Sequence, residues 1–253
     1  MGTVVSLTVP VGPEGWTADA EATLAAAAGA VERRFQELDI RFSLYRPGSE
    51  ASRLARGELC LRDSSAGMRH RYADALTWRL RTEGAFSPER PDGVLDLSGL
   101  IKGYAIGQAG EALRSRGITD WCLNAGGDVL VTGSPVPGSG ASWAAGVVDP
   151  LDRAALLSAY GLGGPGPRRA LATSGSAERG DHIWAAGSGG WTAGSGGAEF
   201  VQVSVAAADI VTADVLATAI VAGGTAMLHR ATDGWEIDVL AVRRTGALLA
   251  TAG

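Results

Sequence analysis

The sequence predicts an α+β fold in a single domain of 253 residues. Several segments carry apolar residues at steps of three and four, as amphipathic helices do, and others alternate as half-buried strands do. The glycine-rich segments 161–167 and 187–197 are too short and too close to strand-like runs to be interdomain linkers, and no internal repeat is visible. Residues 1–253 are therefore expected to form one unit.

The predicted helices and strands alternate along the chain. The clearest helix, 17–43, has Leu24, Val31 and Leu38 on one face, with Asp19 and Glu21 near its positive end. Further helices are predicted at 68–80, after Lys102 as far as Gly117, and at 210–223. Strands are predicted at 2–10, 122–133, 142–149, 199–207 and 235–242.

Composition and charge argue against several classes of protein. The net charge is −5 and no basic run is present, which argues against a nucleic-acid or polybasic membrane surface. The longest apolar stretches fall short of the roughly 20 residues of a membrane span. Cys60 and Cys122 are too few for a disulfide framework or a zinc site. No export signal is recognisable, so we expect a cytoplasmic protein.

Residues 96–105, DLSGLIKGYA, contain Lys102, the only lysine among 22 basic residues. A strand-like run ending at Asp96, a turn at Ser98 and Gly99, and a helix start would direct backbone N–H groups at an anion such as phosphate. Lys102 would add a compact positive charge to that site. The alternative is a solvated lysine in the first turn of the helix, with Asp96 as a capping carboxylate.

The segment IVTADVLATAIVAG keeps a helical period and places Asp214 four residues before Thr218. A carboxylate and a hydroxyl on one helix face are oxygen ligands that Mg²⁺ prefers, and we expect the Asp214 carboxylate to be exposed. The alternatives are an Asp that caps the helix and a Thr that bonds to its own turn.

A third segment, ATSGSAERGDHIW, combines small residues with a histidine. The small residues at 172–177 allow a close approach of backbone to a ligand, and His182 offers a base or a hydrogen-bond donor. A solvent-facing or core histidine is the alternative.

Seven segments, in this order, resemble the ApbE family of FAD:protein FMN transferases. The resemblance covers nearly the whole chain. The segments are MGTVVSLTV (1–9), FSLYRPGSEASRL (42–54), EGAFSP (83–88), LDLSGLIKGYAIG (95–107), CLNAGGDVLVTG (122–133), ATSGSAERGDHI (172–183) and TADVLATAIV (212–221).

The resemblance implies an ApbE-like, or T-fold-like, α+β domain of mainly antiparallel sheets flanked by helices. It also implies an enzyme that uses Mg²⁺ to break the pyrophosphate of FAD. Such an enzyme passes FMN to a Thr or Ser of an acceptor flavoprotein and releases AMP. The implied partners are therefore FAD and the acceptor flavoprotein, with no nucleic acid and no membrane span.

Carried over by motif position, the resemblance also implies the site residues. The implied Mg²⁺ ligands are the carbonyls of Gly99 and Ala217 and the side chains of Asp214 and Thr218. His182 matches a family position that acts near the phosphoryl transfer, and Lys102 would supply charge beside the diphosphate. The implied FAD contacts are Met1, Tyr45, Ala85, Phe86, Ser87, Asp96, Lys102 and Ile183.

The sequence departs from the family pattern at two places in the site. Ser87 stands in GAFSP where the family has an Asp, and residues 184–194 replace the Asp-Pro-x-Thr-Gly that usually follows the His-Ile pair. Three alternatives to the transferase therefore stay open. They are an FAD pyrophosphatase that yields FMN and AMP, an FAD-binding protein without turnover, and an unrelated α+β protein.

Overall fold

The structure, a computed structural model, describes residues 3–12, 15, 17–175, 185–187, 190–192 and 199–251. The helices in these ranges are α1 (Ala18–Phe42), α2 (Glu50–Ala55), α3 (Ala66–Arg81), α4 (Ser98–Arg114) and α5 (Ile210–Gly234), with a 3-10 turn at Leu61–Asp63. The strands are β1 (Val5–Thr8), β2 (Trp121–Ala125), β3 (Asp128–Thr132), β4 (Trp143–Val148), β5 (Leu156–Leu162), β6 (Ala170–Gly175), β7 (Ala185–Gly187), β8 (Gly190–Thr192), β9 (Phe200–Ala207), β10 (Asp238–Arg243) and β11 (Leu248–Ala250).

The strands form one seven-stranded sheet and two hairpins. The sheet has the order β1-β2-β3-β6-β9-β10-β11, while β4 pairs with β5 and β7 pairs with β8. Every neighbouring pair in the large sheet is antiparallel. The predicted fold class, α+β with antiparallel sheets and flanking helices, is confirmed. The single unit of residues 1–253 stays a prediction.

The two faces of the sheet are covered differently because side chains alternate along each strand. On one face Val203 and Val239 join the main core with α4 and α5. On the other face Leu171 and Leu240 pack in a smaller cluster with Val147 of the β4–β5 hairpin. Helices α4 and α5 therefore lie together on one side of the sheet.

Side-chain caps fix where the long helices begin. The Thr17 hydroxyl accepts a hydrogen bond from the amide of Ala20 at 3.1 Å, and α1 starts at the next residue. The Asp209 carboxylate accepts one from the amide of Thr212 at 2.8 Å, and α5 starts in the same way. These bonds satisfy amides that the first turn of a helix leaves unpaired.

Helix α5 is the central helix of the core. Among the described residues it alone is long and apolar enough to cross a membrane by length and composition, with a mean hydropathy of 1.7. However, 61% of that stretch is buried inside the protein, against α4, β6 and β9. Burial within the core accounts for its apolar composition.

Three elements differ from the sequence predictions. The predicted strand 122–133 is two strands, β2 and β3, because Gly126 (φ 63°) and Gly127 (φ 93°) turn the chain between them. Helix α4 begins at Ser98, so Gly99 lies in its first turn rather than in a preceding turn. Helix α5 continues past the predicted end through a break at Gly224 (φ 61°) as far as Gly234.

Candidate active site

The candidate site forms where the start of α4 packs against α5. A Cβ atom added to Gly103 would lie 3.1 Å from the carbonyl oxygen of Ile210 and 3.2 Å from Cβ of Asp214. The missing side chain allows the two helices to come this close. The amide of Gly103 donates a hydrogen bond to Oδ2 of Asp214 at 2.9 Å. The glycine and the carboxylate, 111 residues apart, thus fix the contact between the two motifs.

The expected exposure of Asp214 was wrong. Its side chain is only 2% exposed, since it lies between α4 and α5. A carboxylate in such a setting needs hydrogen bonds and opposite charges to compensate for lost hydration. The amide of Gly103 and the ammonium of Lys102 provide them.

Thr218 lies beside Gly99, as a shared metal site requires. A Cβ atom added to Gly99 would lie 3.8 Å from Oγ1 of Thr218 and 3.2 Å from the Phe86 ring. Oγ1 of Thr218 also lies 3.1 Å from Oγ of Ser174, at the end of β6. The implied ligand residues Gly99, Asp214 and Thr218 are therefore brought together. The fourth, Ala217, is fully buried in the turn of α5 that precedes Thr218.

The implied ligands are all oxygen donors. The donor set, a carboxylate, a hydroxyl and a backbone carbonyl, fits Mg²⁺, which takes oxygen ligands and usually keeps several waters. The described residues contain no group of three or more His, Cys, Asp or Glu suited to a metal.

Lys102 is largely buried between two carboxylates. Its side chain is 11% exposed, and Nζ lies 2.5 Å from Oδ2 of Asp128 and 3.4 Å from Oδ1 of Asp214. The alternative of a solvated first-turn lysine is therefore wrong. A single ammonium therefore lies between two buried carboxylates, at the place where the implied metal ligands meet.

Asp128 is the site residue that the sequence predictions missed. Its side chain is fully buried, and Oδ1 accepts a hydrogen bond from the amide of Thr173 at 3.1 Å. Burial raises the pKa of Asp128 to about 7, the charge of Asp214 adds to the increase, and Lys102 opposes it. The signal was present in the segment NAGGD, where two glycines precede an Asp at a strand start.

The segment implied to contact the nucleotide lies against the same helices. A Cβ atom added to Gly223 of α5 would lie 3.2 Å from Cβ of Ala85. Phe86 is buried, and its amide donates to Oγ1 of Thr82 at 3.1 Å. The hydroxyl of Ser87 donates to the carbonyl of Glu89 at 3.1 Å. Residues 85–87 thus border the cluster of Gly99, Asp214 and Thr218.

Asp96 lies at the entrance of α4. Oδ1 of Asp96 accepts a hydrogen bond from the amide of Ser98 at 2.9 Å, and its own amide donates to the carbonyl of Pro88 at 2.7 Å. The Asp96 carboxylate thus bonds to the amide of the first residue of α4, while the N-cap residue itself is Leu97, which has no side-chain cap. Asp96 ties the segment that contains Ser87 to the start of α4.

Tyr45 projects from a loop that buried serines hold in shape. Ser49 and Ser52 donate hydroxyl hydrogen bonds to the carbonyl of Ser43 at 2.5 and 3.2 Å. Tyr45 is 85% exposed on this loop, so its ring is free to stack on a ligand. Its contact with the flavin stays a prediction.

The predicted site residues Met1, His182 and Ile183 lie outside the described residues.

Comparison with solved structures gives the fold class independently. A mutant of the flavin transferase ApbE from Vibrio cholerae has a TM-score of 0.71 at 19% identity, over 100% of this chain and 95% of that one. The ApbE protein from Thermotoga maritima has a TM-score of 0.71 at 19% identity, over 98% and 92%. The apo flavinyl transferase ApbE from Pseudomonas stutzeri has a TM-score of 0.71 at 20% identity, over 98% of this chain and 95% of that one. The chain therefore has the fold of these transferases.

A family model places the chain in one protein family. The model described as the ApbE family matches residues 87–240, which include α4, Asp128 and α5. The chain belongs to the ApbE family, and the family and enzyme class expected from the seven motifs, FAD:protein FMN transferase, are confirmed. None of the curated proteins matches the chain significantly in sequence.

Proposed function

We propose that this protein transfers the FMN part of FAD to a Thr or Ser hydroxyl of an acceptor flavoprotein, in a Mg²⁺-dependent reaction that releases AMP. The observation that carries the proposal is the meeting of Gly99, Asp214 and Thr218 beside the buried ammonium of Lys102. A carboxylate, a hydroxyl and a carbonyl next to a lysine are suited to a metal-bound diphosphate.

In the proposed reaction, the acceptor oxygen forms a bond to the phosphorus of the FMN part of FAD. The bond between that phosphorus and the bridging oxygen breaks, and AMP leaves with the electron pair. The hydroxyl proton passes to a base, for which His182 is the candidate implied by the family motif. The reaction needs no further oxidant or co-reactant, because the pyrophosphate carries its own leaving group.

The residues of the chain would position the diphosphate and balance its charge. Gly99, Asp214, Ala217 and Thr218 would hold Mg²⁺, which supplies charge neutralisation and polarises the phosphate oxygens. Lys102 contributes a fixed positive charge, and burial makes that charge more effective than it would be in water. Thr82 and Asp96 hold the segment 85–87 against this cluster.

The test is a reaction of the purified protein with FAD, Mg²⁺ and a candidate acceptor flavoprotein. We expect the acceptor to gain the mass of one FMN in a phosphoester, with one AMP released for each FMN attached. FMN and AMP without a change in acceptor mass would identify an FAD pyrophosphatase. FAD that is bound and recovered unchanged would identify a binding protein, and either result would overturn the transferase.

Two matched variants make the assay specific to the site. Asp214→Asn should abolish transfer because it removes the charge of the proposed metal ligand. Asp209→Asn removes one negative charge from the start of the same helix, and asparagine caps helices as well as aspartate does. We expect Asp209→Asn to transfer FMN at the wild-type rate.

A further inference from the structure

The hairpin β2–β3 delivers a buried carboxylate to the site, and the proposed reaction does not use that group directly. The Gly126–Gly127 turn is closed by Oδ1 of Asn124, which accepts a hydrogen bond from the amide of Gly127 at 3.0 Å. The register of the hairpin pairs Ala125 with Asp128. Asp128 is thus the first residue of β3, fixed by the turn and pointing into the protein.

Both oxygens of Asp128 have partners that hold it in place. Oδ1 accepts the amide of Thr173 on the neighbouring strand β6, at 3.1 Å. Oδ2 lies 2.5 Å from the ammonium of Lys102. A fully buried carboxylate of this kind is costly unless it is paired, so its charge and that of Lys102 stabilise each other.

The two oxygens of Asp214 are not equivalent. Oδ2 accepts the amide of Gly103 at 2.9 Å, while Oδ1 lies 3.4 Å from the ammonium of Lys102. The ammonium is therefore 2.5 Å from Asp128 but 3.4 Å from Asp214. Within the described part of the chain, Oδ1 of Asp214 has its ion pair with Lys102 at 3.4 Å, and it can accept a shorter contact.

We propose that Asp128 is a positioning residue, which holds the ammonium of Lys102 and thereby keeps Oδ1 of Asp214 available to a divalent cation. The inference rests on the proposed function, in which Asp214 is a Mg²⁺ ligand. Without the charge of Asp128, Asp214 is the carboxylate that remains beside Lys102 among the described residues, at a buried position where ion pairing is strong. Mg²⁺ must then displace the lysine before it binds.

The first experiment measures Mg²⁺ binding to the FAD-free protein by calorimetry. Asp128→Asn keeps the shape of the side chain and an oxygen for the amide of Thr173, but it removes the charge. We expect its Mg²⁺ affinity to fall about ten- to a hundredfold, the range found when a group that supports a metal ligand is lost. Unchanged affinity would overturn the inference.

A double variant tests whether the ammonium of Lys102 is the group that competes with Mg²⁺. Adding Lys102→Met to Asp128→Asn removes the competing ammonium, so most of the lost Mg²⁺ affinity should return. An affinity that stays as low as in Asp128→Asn alone would show that the lysine is not the competitor. Asp209→Asn, which changes the net charge equally, should bind Mg²⁺ like the wild type. An equal loss in Asp209→Asn would also overturn the inference.

The second measurement needs no variant, because Lys102 is the only lysine in the chain. Protein that carries no tag and is labelled with ¹³C at Cε of lysine gives one lysine signal in an NMR spectrum. With saturating Mg²⁺ we expect that signal to stay broad and shifted from the position of free lysine, since Asp128 still holds the side chain. A narrow signal at the position of free lysine would show that Asp214 is the group that holds Lys102, and would overturn the inference.

Neither measurement depends on turnover, so the two proposals can fail separately. Wild-type protein that binds Mg²⁺ as described but transfers no FMN would overturn the proposed function and leave the role of Asp128 intact. Wild-type protein that binds no Mg²⁺ would overturn both.

Discussion

The amide of Gly103 on α4 donates a hydrogen bond to Oδ2 of Asp214 on α5, at 2.9 Å. This bond joins the motif that contains Lys102 to the motif that contains Asp214 and Thr218. It exists because residue 103 has no side chain, so that the backbone of α4 reaches the carboxylate. Several properties of the protein should depend on this contact, and substitutions around it give direct tests.

Gly103→Ala should destabilise the protein. The new Cβ would lie 3.1 Å from the Ile210 carbonyl and 3.2 Å from Asp214, so the helices must separate. Overpacking of this kind costs about 1–3 kcal/mol of unfolding free energy. Chemical denaturation of the metal-free protein measures it, and a Mg²⁺ titration should show weaker binding.

Gly107→Ala is the matched control for this change. It lies one turn later on α4, and its Cβ would meet only the Ile210 side chain, at an ordinary 3.7 Å. Alanine is better than glycine inside a helix by about 0.8–1 kcal/mol, so we expect equal or higher stability. If the two variants were equally stable, the close contact at Gly103 would not be a constraint.

Asp214→Asn should abolish Mg²⁺-dependent turnover while the protein stays folded. The asparagine oxygen can still accept the amide of Gly103, so the contact between the helices is kept. Asp214→Ala is a poorer test because it leaves that buried amide without a partner, at about 1–3 kcal/mol. AMP release as a function of Mg²⁺ concentration measures the effect, and a wild-type response in Asp214→Asn would exclude this carboxylate as a ligand.

Thr218→Val should weaken Mg²⁺ binding more than it lowers the thermal stability of the metal-free protein. Valine keeps the shape and removes the hydroxyl, which lies 3.1 Å from Oγ of Ser174. The control is Thr232→Val on the same helix, whose hydroxyl bonds to the carbonyls of Leu228 and His229. Calorimetric titration should separate the two variants, and equal Mg²⁺ affinity would assign Thr218 a purely structural role.

Lys102→Arg should slow turnover at least about tenfold, equivalent to roughly 1.4 kcal/mol of activation free energy. The charge is kept, but a wide planar guanidinium must fit where a compact ammonium lies between Asp128 and Asp214. Arg114→Lys, at an exposed pair with Glu111 on the same helix, should have no effect on rate. Steady-state rates of AMP release measure the effect. A Lys102→Arg enzyme as fast as the wild type would show that any cation suffices at this position.

Glu199→Gln should remove part of the acid sensitivity of the fold. The Glu199 carboxylate accepts hydrogen bonds from the amide of Thr225 at 2.9 Å and from its hydroxyl at 2.7 Å, where α5 resumes after Gly224. These bonds, with Arg243, lower the pKa of Glu199. A lowered pKa means that the stabilisation is present above the unfolded pKa and is lost as pH falls through the folded one.

The wild type should therefore lose stability below about pH 4.3, the ordinary range for a glutamate, more steeply than the variant does. Thermal unfolding midpoints measured at several acidic pH values give the slope of stability against pH for each protein. At neutral pH the variant should be the less stable protein. Parallel curves for the two proteins would contradict the role given to Glu199.

Features that depend on short-range geometry could be predicted from the sequence alone. Thr218 follows Asp214 by one turn of helix, so their side chains share a face wherever that helix lies. The apolar spacing of α1 gave a helix at 17–43, and the structure has it at Ala18–Phe42. The resemblance to the family motifs supplied the other predictions, including the role of Lys102 and the set of implied Mg²⁺ ligands.

Which groups meet, and how deeply they are buried, depends on the packing of helices and strands that are distant in sequence. Asp214 is an exposed ligand in the sequence prediction but lies buried beneath the amide of Gly103, because helix packing sets the distance between α4 and α5. Asp128 reaches Lys102 through the register of β2 and β3 and the position of that hairpin beside α4. Such contacts join residues that are distant in sequence, and no local period or spacing encodes them, since they depend on the packing of whole elements.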